Sequence, residues 1–158
     1  DAGPGLSRLA RRLWLHAHLV LLVATSADAA VMDAYATVKR HVVGVRGTTC
    51  ANIRLLLNQV ESDRAAGDSQ RRLMNCCQRF LRLKVVAMPA LPRWEDCEDA
   101  SIKRHPRVWE APNTEFGHAV LWLGRAVEDA LIEGGGCRVQ GNCVSSFPAS
   151  RIPHPATC

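Results

Sequence analysis

Asn75-Cys76-Cys77-Gln78-Arg79-Phe80-Leu81-Arg82-Leu83-Lys84-Val85 sets two adjacent cysteines inside an apolar stretch of helical period. Leu73, Cys76, Cys77, Phe80, Leu81 and Val85 recur at steps that line one face of a helix. Asp68 or Ser69 can cap its start by accepting a bond from a free backbone N–H. Pro89 stops it, because proline lacks the N–H and clashes with the preceding turn. The reading of this stretch decides the fold expected for the whole chain.

Three further segments carry a similar period. Val31, Tyr35, Val38, Val42 and Val45 predict a first helix that breaks near Gly44–Gly47. Ile53, Leu56, Leu57 and Val60 predict a second, ending in the polar stretch Ser62–Gly67. The last opens after Pro112-Asn113 and runs through Phe116, Val120, Leu123, Val127 and Leu131 to Gly134-Gly135-Gly136, where glycine accepts the left-handed C-terminal position. Between the helices ending at Pro89 and beginning at Asn113 lies a proline-bearing connection with Cys97 in its middle. No strand pattern and no repeat stand out. The expectation is an all-α, disulfide-stapled helical bundle over residues 30–143, with a Pro-rich irregular tail over 144–158.

The first 29 residues read as a signal peptide. Arg8, Arg11 and Arg12 form a basic start, an apolar run from Leu13 to Ala24 follows, and Ala27-Asp28-Ala29 supplies a small-x-small cleavage pattern. The competing reading is a membrane span at about residues 13–31, which would make the chain an anchored structural subunit. Export implies oxidised cysteines, and the chain has seven: Cys50, Cys76, Cys77, Cys97, Cys137, Cys143 and Cys158. An odd number leaves at least one thiol over.

The chemistry that motifs usually announce is missing. No pair of cysteines has the C-x2-C spacing of a zinc site, and the histidines are too scattered to bind metal together. There is no G-x-S-x-G elbow and no glycine-rich phosphate loop. Asn113-Thr114-Glu115 fails as a glycosylation acceptor. The net charge of +5 is spread without a run of five basic residues and with few aromatics, which argues against nucleic acid as a partner. Neither an enzyme nor a cofactor is expected.

The cysteine pattern resembles cytokines of the interleukin-10 family, closest to the branch of interleukins 19, 20 and 24. The stretch Asn75-Cys76-Cys77-Gln78-Arg79-Phe80-Leu81-Arg82-Leu83-Lys84-Val85 resembles the start of that branch's C-C-x-x-x-x-L-L-x-x-Y-V helix. Tyr35-Ala36-Thr37-Val38-Lys39-Arg40 is similar to its first helix, and Cys137-Arg138-Val139-Gln140-Gly141-Asn142-Cys143 has its C-x5-C spacing. The resemblance implies a Cys76–Cys143 disulfide, and it leaves the partners of Cys77, Cys137, Cys50, Cys97 and Cys158 open. It implies a secreted ligand that holds cell-surface receptor chains together, with Lys39 and Arg40 as receptor contacts. The family's two helices after C-x5-C have no counterpart here, so self-association along Phe116, Val120 and Leu123 or along Phe80 is expected. The alternative in another class is a secreted helical carrier or inhibitor built around an apolar cavity.

Overall fold

The computed structural model describes residues 8–42, 52–94 and 112–135. Its centre is a parallel sheet of three strands in the order β1-β2-β3: β1 Val20–Ala24, β2 Ile53–Leu57 and β3 Val85–Ala87. The register runs Val20↔Ile53 to Ala24↔Leu57 and Ile53↔Val85 to Leu55↔Ala87. The helices are α1 Arg8–His16, α2 Asp28–Val42, α3 Asp63–Cys76 with a π-helical extension Cys77–Leu81, and α4 Glu115–Gly135.

The expected all-α, disulfide-stapled bundle is therefore overturned. The fold is α/β, and Cys76 and Cys77 carry free thiols. Ile53-Arg54-Leu55-Leu56-Leu57 decides the matter. Its apolar residues also fit a helical face, but a short run buried on both sides has the same look when it is the middle strand of a parallel sheet. Ile53, Leu55 and Leu57 point to one face and are fully buried with Val20, Leu22 and Val85. Leu56 is buried on the other face, where Arg54 reaches Glu133 of α4 at 2.7 Å.

β1, α2, β2, α3 and β3 form two successive parallel crossovers. Val31, Ala34 and Val38 of α2 join Ala66 and Leu73 of α3 on the same face of the sheet. Crossovers of one hand between sequential neighbours put both helices on one side. Ser62 caps α3, its hydroxyl accepting from the Ala65 N–H at 3.3 Å, so the helix starts earlier than Asp68. The N–H groups of Arg82 and Leu83 both reach back to the Cys77 carbonyl, widening the last turn into a π-helix. Arg82, at φ 55°, then turns the chain into β3, far short of the expected stop at Pro89.

α1 and α4 complete the layers. Trp14 of α1 stacks on His41 at 4.6 Å between ring centroids, and Ala10 is buried. His41 donates from Nδ1 to the Thr37 carbonyl at 2.9 Å, and its buried Nε2 has no partner among the described residues. α4 lies on the second face, tied to the start of β2 by the Asn52 side-chain amide donating to the Ala130 carbonyl at 2.8 Å. Phe116 at its other end packs on Trp94 at 4.8 Å.

Candidate ligand site at the carboxyl edge of the sheet

Three loops leave the sheet at the carboxyl ends of its strands, and hydrogen bonds lock them together. The Asn58 N–H donates to the Ala24 carbonyl, and the Leu91 N–H donates to Leu57, both at 2.8 Å. Val60 then pairs with Pro92, so contact between the loops continues beyond the strands. α3 holds the same loops from the side. Ser69 donates its hydroxyl to the Ser26 carbonyl at 3.1 Å, Gln70 donates its amide to Met88 at 2.9 Å, and Arg72 pairs with Asp28 at 2.7 Å.

At the centre of this edge stand Asn58 and Gln59. Gln59 has φ 57°, a conformation uncommon outside glycine. The Asn58 side-chain oxygen accepts the Gln59 N–H at 2.9 Å and so holds that corner. Such strained corners concentrate at ligand sites. Thr25, Ser26, Asn58 and Gln59 offer hydroxyls and amides. The acids lie at the helix starts: Asp28 opens α2, and Glu61 and Asp63 flank the start of α3. Carboxylates there already satisfy the positive ends of the helix dipoles, which disfavours a phosphate at those positions. The chemistry on offer suits a neutral polar ligand group.

The residues singled out by the sequence lie elsewhere. Cys76 is exposed and Cys77 fully buried. Burial, and next the neighbouring Cys76, pushes the Cys77 thiol up to about 11. Cys76 edges an apolar groove of about 290 Å³ between α2 and α3, lined also by Val31, Met32, Tyr35, Leu73 and Phe80. The groove opens to solvent past Met32 and Phe80. Lys39 and Arg40 are exposed in the last turn of α2, where cations offset the negative helix end. Cys143, the expected partner of Cys76, and Cys50, Cys97, Cys137 and Cys158 lie outside the described residues. Among the described residues no helix is long and apolar enough to cross a membrane, and no cluster of three His, Cys, Asp or Glu could hold a metal ion.

Sequence reasoning missed Asn58 and Gln59. The signal was the Asn58-Gln59 corner after a short apolar run, which the helical reading of Ile53–Val60 absorbed. No known protein family matches the chain, and no curated protein matches it.

Proposed function

We propose that this chain is an α/β ligand-binding unit that holds a nucleoside-like molecule at the carboxyl edge of its sheet. The strained Asn58-Gln59 corner, at the end of the middle strand, carries the proposal. In open parallel sheets ligands bind outside the carboxyl ends of the strands, and a β-α-β-α-β run in sequential order is the repeating half of such nucleotide-binding sheets. That rule is an analogy at the level of the fold. The amides of Asn58 and Gln59 and the hydroxyls of Thr25 and Ser26 supply the specific part: donors and acceptors for a base edge or a ribose. The unit binds, and no catalytic step is proposed for it.

The expectation of a secreted receptor ligand rested on the cysteine pattern and on a helical bundle. The parallel sheet replaces the bundle, and the carboxyl edge supports the reading proposed here. The segment read as a signal peptide holds α1 and β1, and we propose that the working protein keeps it.

Titration of the full chain with adenosine and guanosine, followed by tryptophan fluorescence and calorimetry, tests the reading. Trp94 follows two residues after Pro92, which pairs with Val60 next to Gln59, and is the tryptophan expected to report binding. Asn58→Asp keeps the oxygen that accepts the Gln59 N–H and loses the amide donors, so it should weaken binding about tenfold without changing the unfolding midpoint. No saturable binding at millimolar nucleoside, or binding indifferent to Asn58→Asp, would refute it.

A further inference from the structure

α1 reads Arg8-Leu9-Ala10-Arg11-Arg12-Leu13-Trp14-Leu15-His16, with three arginines and no acid. Residues four apart on a helix fall in one row, and rows offset by one residue lie side by side around it. Ala10 and Trp14 form the row against the body of the protein: Ala10 is buried, and Trp14 stacks on His41 at 4.6 Å. Leu9 and Leu13 form the next row and are 67% and 48% exposed. Arg8 and Arg12 form the row beyond, and both are exposed. Arg11 is exposed too and faces away from the leucines. The ion pairs among the described residues use Arg54, Arg71 and Arg72, so the three cations of α1 stand without a carboxylate there.

Charge decides what covers such a face. Two leucines one turn apart, edged by unpaired arginines, match a surface that is apolar beneath and anionic on top. Lys39 and Arg40 just precede His41, on which α1 is stacked, and the whole chain carries +5, so the field around α1 has the same sign. α4 makes the contrast. Its Leu121, Trp122, Leu131 and Ile132 are also exposed, but Glu128 and Asp129 stand exposed among them and would be repelled by anions. A nucleic acid would use the arginines and leave Leu9 and Leu13 in water. It would also find the one aromatic ring of α1 already stacked on His41.

We infer that α1 is a peripheral membrane anchor, which lays Leu9 and Leu13 into the headgroup layer of an anionic lipid bilayer while Arg8 and Arg12 pair with lipid phosphates. Arg11 contributes only to the long-range attraction. The helix lies on the surface and does not span it. Two signals act together, since a small apolar contact or a few charges alone hold a protein to lipid only weakly. Each basic residue close to the surface strengthens the attraction by about fivefold. The inference rests on the reading that the working protein keeps α1, and not on the nucleoside site.

Cosedimentation of the full chain, without nucleoside, tests it on vesicles of phosphatidylcholine alone or with about a third of phosphatidylserine. Binding is expected on the anionic vesicles and not on the neutral ones. Raising sodium chloride from about 0.1 M to about 1 M, which cuts the Debye length from about 10 Å to about 3 Å, should release the protein. Arg8→Gln with Arg12→Gln should weaken binding at least about tenfold, and Arg11→Gln less. Leu9→Ser with Leu13→Ser keeps every charge and should also weaken it at least about tenfold, with an unchanged far-UV spectrum because both side chains are exposed. Leu121→Ser with Ile132→Ser on α4 should change nothing. No binding to anionic vesicles, equal binding to neutral ones, or binding indifferent to the paired serines overturns the inference. Retention on single-stranded RNA that the paired glutamines abolish and the paired serines spare, with none on vesicles, would assign α1 to nucleic acid instead. The intact mass of the chain recovered from cells reads the retention of α1 separately: a chain beginning at Ala30 refutes that reading and this inference with it, whereas an intact chain that ignores vesicles refutes this inference alone.

Discussion

Cys76 and Cys77 are neighbours in the chain and sit in opposite surroundings, one exposed and one wholly buried beneath the turn that ends α3. Iodoacetamide at pH 8 should therefore alkylate Cys76 and leave Cys77 untouched until the protein is unfolded, as peptide mapping would read. Equal labelling of both would contradict the buried position. The Cys77 thiol is raised from its ordinary 9.0 to about 11, so its neutral form is favoured in the folded state. The stability this contributes is full below pH 9 and is lost as pH rises through about 11. Cys77→Ala should flatten that alkaline decline in the unfolding midpoint. The sequence placed Cys77 on an apolar face, and it is buried. The sequence could not show that Cys76 lies outside the same face. That depends on how α3 is turned against the sheet: Leu73 and Cys77 are buried and Cys76 edges the groove, while the π-turn resets the phase only of the side chains after it.

Elements were legible where they are long, and ambiguous where they are short. α2 and α4 lie close to where the periodicity of Val31–Val42 and Phe116–Leu131 puts them. β2 was not legible, because five apolar residues fit either period and burial on both faces erases the alternation that marks a strand. β3 was hidden by a helical pattern running on through Val85, which the left-handed Arg82 interrupts without a glycine to announce it. Two substitutions test these elements. Leu55→Ala, at the fully buried centre of β2, should cost about 3 kcal/mol in chemical denaturation. A loss under about 1 kcal/mol would mean that Leu55 does not fill the core. Arg82→Gly should raise stability by roughly 0.5–1 kcal/mol, since glycine enters the left-handed region without strain.

At the scale of the molecule, the first 29 residues carry two readings. A basic start, an apolar run and a small-x-small site describe a signal peptide, and they equally describe a basic helix followed by a parallel strand. The register Val20↔Ile53 supports the second reading, which is the one proposed here. A chain beginning at Ala30 would lose β1, Trp14 and the first two residues of α2, Asp28 and Ala29. It should show no cooperative thermal transition, whereas the full chain should show one. The carboxyl-edge site was invisible for the same reason: it is assembled by loops that meet only once the sheet forms. Cross-strand nuclear Overhauser contacts in the labelled full chain test the parallel sheet most directly. The account predicts amide-to-Hα contacts in the registers Val20↔Ile53 and Ile53↔Val85, with extended coupling constants through Ile53–Leu57. Sequential amide–amide contacts of a helix through Ile53–Leu57, with no contact to Val20 or Val85, would contradict it.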